Sequence, residues 1–490
     1  MKFLGFASII IGCVVPSVLA KPLRRDGFSD CLGANITTVE PSDQGYPAAS
    51  APFNQRLAFR PAAIVYPNTP HDVSQVVKCA ASQGLAVNAR SGGHSYAAYG
   101  LGGEDGHVIV DLSKLKSITL DKSSWNVVSE TGNLLGELAV SLWNQGQRAL
   151  PHGTLGNGGH AAFGGFGPFS RVGGLLLDRI LSADVVLANG TLVTASTTQN
   201  SDLFWAVRGA GASFGIVTSW TFATLPAPKD NIYWEINYSN ALSESTFIDA
   251  LDAMQTFVLT TLSDEFSMQT VVGGGGGGLY LSFQGGYFGK KSDFENIIAP
   301  FMAALPDGSQ LTSSSSGWLE FLKRENGDES LDTSQAEPTD TFFAKALVTT
   351  TAISKSAWAS WAAFLFSSAV NTDLSWFVEM DLYGGAVSRV PKNATAFIHR
   401  DAIFSIQFYA SSQNLQPPYP DDGIPFVTNL LASLDPNPQA AYANYVDPTL
   451  SATQWQTQYY GDNYQRLTRI KRKYDPDNVF SFPQSIGLAA

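Results

Sequence analysis

The chain has 490 residues, of which 44% are hydrophobic, and it carries a formal net charge of −12. This length exceeds what one hydrophobic core usually serves, so a globular protein of two or three domains is expected. The acidic balance argues against nucleic acid and against an anionic membrane surface as partners, because both bind basic protein surfaces.

The first 20 residues, MKFLGFASIIIGCVVPSVLA, have the pattern of a secretory signal peptide. Lys2 supplies the charged start, an apolar stretch follows at residues 3–15, and Val18 and Ala20 form the small-residue cleavage pattern. The apolar stretch is too short to span a membrane. The sequence therefore predicts a secreted, extracellular protein without membrane contact.

Cleavage after this segment would remove Cys13 and leave two cysteines, Cys31 and Cys79. An even pair on an oxidising secretory route favours a disulfide over two free thiols. Asn-x-Ser/Thr sequons, the acceptor sites of N-glycosylation, fit the same route. The sequons begin at Asn35, Asn189, Asn237 and Asn393.

Short strands and helices alternate in the first half of the chain. Residues 71–83 carry their valines on one helical face, and AVNAR (86–90) has the character of a strand. LGELAVSLWNQG (135–146) predicts a helix ended by its glycine, and DVVLANGTLVTAS (184–196) predicts a β-hairpin with Asn-Gly at the tip. SDLFWAVRGAG predicts a short helix with Ser201 as its N-cap.

The character of the sequence changes near residues 226–229 (PAPK). Beyond them, aromatic-rich alternating segments such as NIYWEINYS and SWFVEMDLYGG are separated by helical stretches such as STFIDALDAMQTFVLTTL. This arrangement predicts an α+β region built on a mainly antiparallel sheet. The glycine run 273–278 predicts a strand end or a loop, and residues 462–480 predict a closing helix that ends at Asp475-Pro476.

Three glycine-rich stretches lie in the first half: RSGGHSYAAYG (90–100), HGTLGNGGHAAFGGFG (152–167) and GAGASFG (209–215). Each alone is more typical of a structural loop, and the third lacks both the spacing and the preceding strand of a dinucleotide fingerprint. Together they favour one large cofactor with a pyrophosphate and flat rings, because such a cofactor would contact several backbone turns at once.

No metal site is expected, because the six histidines form neither an HExxH motif nor a His-x-x-x-His pair, and no CxxC occurs. No G-x-S-x-G nucleophile elbow occurs either. Metal-dependent and α/β-hydrolase chemistry are therefore disfavoured.

In combination, several motifs resemble those of secreted FAD-linked oxidases of the vanillyl-alcohol-oxidase superfamily: RSGGHSYAAYG, HGT with GGH and GGFG, DLFWAVRGAGASFGIVT and NYQRLTRIKRKYDPDNVF. The branch is that of berberine-bridge-type enzymes and fungal oligosaccharide oxidases, and the resemblance covers nearly all of the chain from Cys31 onward. DLYGG (381–385), HRDAIFSIQFY (399–409) and YANYVDPTL (442–450) are most similar to gluco- and chitooligosaccharide oxidases.

The resemblance implies an α+β, two-domain fold of the PCMH/VAO type that follows a signal peptide at residues 1–20. Residues 26–228 and 435–490 would together form a bipartite FAD-binding domain. Residues 229–434 would form a substrate-binding domain, in which helices cover a large antiparallel sheet. A monomer is expected.

The family binds FAD covalently, and His94 matches the histidine that carries the flavin. Bicovalent members have a cysteine after HGT and a longer loop, whereas Leu155 occupies that position here. A single covalent link through His94 is therefore expected, and both O2 and a quinone-type compound remain open as electron acceptors. The other residues expected at FAD are Arg90, Ser91, Gly92, Gly93, Ser95, Gly153, Thr154, Leu155, Gly158, Gly159, His160, Gly215, Ile216, Val217 and Asn463.

Tyr445 matches the family's catalytic tyrosine, and Asp381 matches the aspartate beside it. Removing hydride from an anomeric C1–H requires a base for the C1 hydroxyl proton, and a tyrosine with a pKa near about 10 needs help from a carboxylate. A glutamine is usual at the position of Glu379 and a tryptophan can stand at that of Phe377, so sugar preference stays open. The residues that match sugar contacts are Tyr96, Phe377, Glu379 and Gln407.

The resemblance thus implies secreted, flavin-dependent oxidation of an oligosaccharide at its reducing-end C1 hydroxyl to a lactone, with electrons passing to O2 to give H2O2 or to a quinone. One alternative is a berberine-bridge-like oxidase of secondary metabolism, and another is a catalytically silent glycoprotein that binds flavin or another ligand. The DLYGG and NYVDPTL motifs favour a sugar substrate, and retention of Tyr445 and Asp381 argues against the silent protein.

Overall fold

The computed structural model describes residues 31–33, 35–153, 158–238, 242–275, 278–327, 330–331 and 338–488. The expected signal peptide, Thr154 and Leu155 lie outside the described residues. In the part of the chain that is described, no helix has both the length and the apolar character needed to cross a membrane.

The described strands form four sheets, with helices packed around them. The strands are β1 Thr37–Val39, β2 Ala63–Tyr66, β3 Val87–Arg90, β4 Val108–Asp111, β5 Ile118–Asp121, β6 Asn126–Glu130, β7 Arg148–Ala149, β8 Ile180–Val186, β9 Leu192–Ser196, β10 Ile216–Ala223, β11 Leu225–Pro226, β12 Asn231–Tyr238, β13 Gln269–Gly275, β14 Gly278–Tyr287, β15 Ser309–Ser316, β16 Phe342–Thr349, β17 Ser375–Leu382 and β18 Phe404–Ser411. The α-helices are α1 Tyr46–Ala49, α2 Pro70–Ser82, α3 Leu135–Gly146, α4 Ser170–Gly173, α5 Ser201–Ala210, α6 Glu244–Val258, α7 Lys291–Ala304, α8 Trp318–Glu325, α9 Lys355–Ser367, α10 Gly423–Ala432, α11 Ala452–Trp455 and α12 Tyr464–Tyr474.

The sheets differ in strand direction. A mixed four-stranded sheet has the order β1-β2-β4-β3, with β2 and β3 both parallel to β4. An antiparallel five-stranded sheet has the order β5-β6-β10-β8-β9, and β7 pairs with β11. The largest sheet is antiparallel and has the order β15-β12-β14-β13-β17-β18-β16. The expected α+β fold with a large antiparallel sheet is therefore confirmed.

Local sequence signals explain several element boundaries. Helix α2 follows a capping box, in which Thr69 Oγ1 accepts from Asp72 N and Asp72 Oδ2 accepts from Thr69 N, both at 3.1 Å. The predicted hairpin is formed by β8 and β9, and its turn contains Gly190 in the left-handed region at φ +73°. The closing helix α12 ends at Tyr474, directly before the Asp475-Pro476 pair that predicted its end.

The expected N-cap of α5 is wrong. Asn200, not Ser201, occupies the cap position, and it makes no side-chain cap hydrogen bond. Asn200 has φ +45°, a left-handed turn that brings the chain out of the preceding loop and places Ser201 inside the first helical turn.

The glycine run 273–278 forms a strand end, because Gly273 to Gly275 belong to β13 and Gly278 begins β14.

Cys31 and Cys79 form a disulfide that attaches the start of the described chain to α2, with 5.8 Å between the two Cα atoms. Of the two alternatives for this pair, the disulfide is confirmed. The sequon asparagines have exposed side chains, and their glycosylation stays a prediction; they are Asn35, Asn189, Asn237 and Asn393.

The seven-stranded sheet has one apolar and one polar face. Trp234, Phe283 and Met380 belong to the apolar face, which is buried beneath α6, α7, α9 and α10 in a cluster formed within residues 232–434. Because side chains alternate across a strand, the residues next to these in sequence point to the opposite face. That face carries the polar side chains of the site.

The two ends of the chain pack together. Val87 N donates to Val479 O at 2.8 Å beside the four-stranded sheet. The fully buried Lys471 Nζ donates to Asp475 Oδ2 at 2.6 Å and to Ser213 O at 2.8 Å. The hydrogen bond from Lys471 to Ser213 O attaches α12 to the segment before β10. The expected domain boundaries at 228–229 and 434–435 stay a prediction.

Replacing Lys471 with methionine should destabilise the fold, because the Asp475 carboxylate would stay buried without its cation. Breaking a buried pair in this way costs about 3–5 kcal/mol of unfolding free energy. Lys473→Met is the matched control on the same helix, because Lys473 is 59% exposed and its pair with Asp202 contributes about 1 kcal/mol or less. Urea unfolding followed by tryptophan fluorescence measures both variants. Equal losses in the two would contradict the structural role of Lys471.

Candidate active site

A cavity of about 580 Å³ lies between the first half of the chain and the polar face of the seven-stranded sheet. One part of its wall is the backbone of residues 90–95, which directly follows β3. Another part comes from β13, β17 and β18, and a third comes from residues 443–446. The cavity thus collects side chains from distant parts of the sequence.

The 90–95 loop is held by the side chain of its first residue. Arg90 Nε donates to Asp111 Oδ2 at 2.6 Å, and Arg90 Nη1 donates to Ala49 O at 2.7 Å. Gly93 has φ +78°, a left-handed conformation that L side chains rarely adopt. The guanidinium is therefore engaged with the protein, and the backbone of the loop faces the cavity, where N–H groups in such a turn can bind an anion.

His94 lies in the cavity wall against an aromatic ring from the start of the chain. Its ring centroid is 3.6 Å from that of Phe53. The neighbouring Asn54 fixes this contact, because its Nδ2 donates to Tyr96 O at 2.8 Å and to Phe342 O at 3.0 Å. The N-terminal segment thus connects the His94 loop to β16 of the seven-stranded sheet.

Gly153 and His160 form a second part of the cavity wall. Gly153 N donates to His160 Nε2 at 2.9 Å, and a Cβ atom at Gly153 would lie 2.9 Å from the His160 ring. Burial first, and the neighbouring His152 second, lower the pKa of His160 to about 4. His160 is therefore neutral at physiological pH, with Nε2 as an acceptor.

The structure brings most of the residues expected at FAD to this one cavity. Ile216 and Asn463 are exceptions: Ile216 is buried in an apolar cluster, and Asn463 Nδ2 donates to Ala396 O at 3.2 Å, away from the described cavity wall. Gly158 and Gly159 begin a 3-10 turn, Gly158–Ala162, that contains His160. Thr154 and Leu155 lie outside the described residues. The expected residues that line the cavity are Arg90, Ser91, Gly92, Gly93, His94, Ser95, Gly153, His160, Gly215 and Val217.

The cavity fits the expected FAD. Its wall combines the turned backbone of the 90–95 loop with Gly153 and Gly215, at both of which a Cβ atom would collide with neighbouring residues. Four lining residues have buried polar side-chain atoms without hydrogen-bond partners among the described residues: Tyr99, Trp220, Glu325 and Gln484. Such atoms are rare in native proteins, and a polar cofactor can satisfy them.

The sheet side of the cavity carries a chain of hydrogen bonds. Gln284 Nε2 donates to Gln269 Oε1 at 3.0 Å, and Gln269 Nε2 donates to Asp381 Oδ1 at 3.0 Å. The three residues are cross-strand neighbours, since Gln269 on β13 pairs with Gln284 on β14 and with Asp381 on β17. The strand register thus fixes the orientation of the Asp381 carboxylate.

Tyr445 faces the same cavity from the C-terminal segment. Its ring stacks with that of Tyr96 at a centroid distance of 6.0 Å and meets the edge of Tyr442 at 5.3 Å. Gln407 Nε2 donates to the Tyr96 hydroxyl at 2.9 Å, which joins two of the expected sugar contacts. The described residues contain no direct hydrogen bond between Tyr445 and Asp381. Such bonds are often long before substrate binds.

Phe377 is not among the cavity-lining residues that the structure describes. Its ring stacks on Tyr409 at a centroid distance of 4.7 Å, and Tyr409 stacks on Phe342 at 4.5 Å. The Tyr409 hydroxyl donates to Asp340 Oδ2 at 2.6 Å. The other three expected sugar contacts, Tyr96, Glu379 and Gln407, do line the cavity.

Three carboxyl groups share the sheet side of the cavity: Glu325, Glu379 and Asp381. Burial raises the pKa of Asp381 to about 6, and the hydrogen bond from Gln269 limits this rise. Burial first, and the charge of Asp381 second, raise the pKa values of Glu325 and Glu379 to about 8. Burial and the charges of Asp381 and Glu379 hold the pKa of Tyr445 well above its usual range.

Sequence reasoning missed Gln269, Gln284 and Glu325. The two glutamines interrupt apolar strands at positions that alternate with buried residues, for example Phe283 beside Gln284. That alternation marks a polar sheet face but does not say whether the face meets solvent or a cavity. Glu325 is the last residue of α8 and carries no local sequence signal.

Comparison with known proteins places the chain in a family. Residues 61–196 match the model of the FAD binding domain, and residues 441–487 match the model named Berberine and berberine like. A xylooligosaccharide oxidase of Thermothelomyces thermophilus is 37% identical, over 96% of this chain and 97% of its own length. A chitooligosaccharide oxidase of Gibberella zeae is 35% identical, over 99% of each chain.

Solved structures agree in fold. A xylooligosaccharide oxidase from Myceliophthora thermophila C1 in complex with xylobiose superposes with a TM-score of 0.88 at 36% identity, covering 95% of this chain and 100% of that one. A glucooligosaccharide oxidase from Acremonium strictum, described with a 6-S-cysteinyl, 8α-N1-histidyl FAD, has a TM-score of 0.88 at 31% identity, with the same coverage. The chain therefore belongs to the vanillyl-alcohol-oxidase/berberine-bridge superfamily of FAD-linked oxidoreductases.

Proposed function

We propose that the protein is a secreted carbohydrate oxidase or dehydrogenase that converts the reducing-end C1 hydroxyl of an oligosaccharide to a lactone. The observation that carries the proposal is that one cavity contains the His94 loop, Tyr445 and Asp381. The oligosaccharide oxidases among the relatives support a sugar substrate. The signal-peptide pattern and the Cys31–Cys79 disulfide support secretion.

The proposed chemistry needs a proton acceptor at the C1 hydroxyl. FAD, when bound, supplies the acceptor of the hydride from C1. Because the pKa of Tyr445 lies well above its usual range, its phenol is protonated before reaction. Tyr445 therefore accepts the C1 hydroxyl proton only as its own proton moves toward Asp381. With a pKa of about 6, Asp381 is ionised at neutral pH yet more basic than an ordinary carboxylate, which suits a general base.

The cofactor would be held by the 90–95 loop, with His94 as the point of covalent attachment. A second link of the cysteinyl kind would need a thiol, but Cys31 and Cys79 are joined in a disulfide, and Cys13 lies in the expected signal peptide. The proposal is therefore a single link through His94. The electron acceptor would be O2, giving H2O2, or a quinone-type compound.

Tyr445→Phe and Asp381→Asn should each slow anaerobic flavin reduction by cellobiose by about 10²- to 10⁴-fold, because each removes one group of the proton relay. Both variants should keep the visible spectrum of bound flavin. Tyr238→Phe is the control, because Tyr238 packs against the apolar cluster on the other face of the sheet and is not among the described residues of the cavity wall. Stopped-flow absorbance gives the rates. A Tyr445→Phe variant as fast as the native enzyme would refute the assignment.

The rate of flavin reduction should rise with pH through about 6, because only the ionised Asp381 can accept the proton and burial raises its pKa to that value. Below this pH, the rate should fall by about tenfold per pH unit as the carboxylate becomes protonated. In Asp381→Asn, the remaining slow rate should not fall as the pH drops below about 6. A pH profile that is the same in the native enzyme and in the variant would contradict the role of Asp381.

Acid precipitation tests the single covalent link. The native protein should give a yellow pellet, whereas His94→Ala should release all of its flavin into the supernatant. His71→Ala is the control, since His71 lies on α2 and is not part of the described cavity wall. A yellow pellet from His94→Ala would reveal a second attachment, and a colourless native pellet would exclude any covalent link.

A further inference from the structure

We propose that the preferred sugar carries a protonated amino group, as in an unacetylated glucosamine oligomer, and that Glu379 binds this ammonium group beside the carbon that is oxidised. The inference rests on the proposed function, because it assigns the substrate class of the same cavity.

Glu379 and Asp381 point into the cavity from one strand. They flank Met380, which is 2% exposed and packs in the apolar core on the other side of the sheet. Residues two apart on a strand share a face and lie about 7 Å apart. Glu325 approaches from the end of α8, close enough to Asp381 for the charges of the two groups to interact.

Among the described residues of the cavity wall, no lysine or arginine is paired with these carboxyl groups. Arg90 is the only lysine or arginine among its described residues, and Arg90 is paired with Asp111. His160 is neutral because burial lowers its pKa to about 4. A cation bound beside Glu379 would therefore come from the ligand.

The hydrogen bonds of the cavity also favour a cationic ligand. Gln269 directs its amide N–H to Asp381 rather than to Glu379. Within the described residues, Glu379 accepts no hydrogen bond, and Glu325 Oε1 is buried without a partner. Buried carboxylates without partners are costly. An ammonium group has three N–H donors and a positive charge, whereas a sugar hydroxyl has one donor.

Glu379 lies near the reacting end of the proposed site. Its charge acts on the phenols of both Tyr445 and Tyr96, so it is close to the groups assigned to the C1 hydroxyl. Among the ring substituents of a sugar, the one on the carbon next to C1 is nearest to the C1 hydroxyl, so it is the one that Glu379 would contact. An amino group there is the arrangement found in a 2-amino sugar.

Neutral sugars are still expected to bind. Without a cation, the raised pKa values keep Glu325 and Glu379 largely protonated at neutral pH, and each can then donate a hydrogen bond to a hydroxyl. The structure therefore points to a preference for the amino sugar rather than to exclusion of the neutral one. A preference of this kind is measured as a ratio of two substrates on the same enzyme.

The test compares three disaccharides with the same β-1,4-linked backbone: the glucosamine dimer, cellobiose and N,N′-diacetylchitobiose. They differ at C2 of both rings, including the carbon next to the reducing-end C1, which carries an ammonium, a hydroxyl or an acetamido group; Glu379→Gln tests which effect comes from the site beside C1. The holoenzyme should reduce its flavin with a kcat/KM for the glucosamine dimer at least about tenfold above that for the other two. Glu379→Gln should lower the ratio of glucosamine dimer to cellobiose at least about tenfold, mainly through KM.

Glu295→Gln is the matched control, because Glu295 lies on α7, is 61% exposed and is not among the described lining residues. Its substrate ratio should equal that of the native enzyme. Flavin reduction by cellobiose without preference for the glucosamine dimer would overturn the inference and leave the proposed function intact. An unchanged ratio in Glu379→Gln would overturn it as well. No reduction by any sugar would overturn the proposed function itself.

Discussion

Neighbouring side chains of a β-strand point to opposite faces, and on β17 this constraint decides what the active site contains. Met380 must enter the apolar core, so Glu379 and Asp381 must enter the cavity. A shift of the register by one residue would place both carboxyl groups in the core. The apolar packing on one face of the sheet therefore determines which carboxyl groups enter the cavity on the other face.

The raised pKa values follow from this placement. Asp381 has a partner in Gln269, so its pKa rises only to about 6, whereas Glu379 has no such partner and its pKa rises to about 8. Two carboxyl groups on one strand thus have different protonation states at neutral pH. That difference suits one of them to accept a proton and the other to bind a substrate group.

The other side of the cavity depends on contacts between distant segments. Phe53 packs on His94, Asn54 joins the His94 loop to β16, and the hydrogen bond from Lys471 to Ser213 O holds α12 against the chain before β10. These contacts fix the position of the 90–95 loop relative to the seven-stranded sheet. Hydride transfer from a sugar to a flavin requires that the two reacting atoms be held at a short distance and in the correct orientation.

Much of this arrangement could be predicted from the sequence. Periodicity and turn residues predicted α3, the β8–β9 hairpin and the closing helix, and the resemblance predicted the α+β fold and pointed to Tyr445, Asp381 and His94. Gln269 and Glu325 could not be found in this way, because their importance comes from cross-strand pairing and helix packing between distant segments. Phe377 and Asn463 match family positions, but their contacts lie elsewhere because Phe377 stacks on Tyr409 and Asn463 bonds to the carbonyl of Ala396.

The central claim is that a sugar loses its C1 hydrogen in this cavity. A deuterium isotope effect on anaerobic flavin reduction tests it directly, with cellobiose labelled either at the reducing-end C1 or at the adjacent carbon. The account predicts that deuterium at C1 slows flavin reduction severalfold and that deuterium at the adjacent carbon leaves the rate unchanged. Equal rates for the C1-labelled and unlabelled sugars, together with a slower rate for the other label, would contradict it.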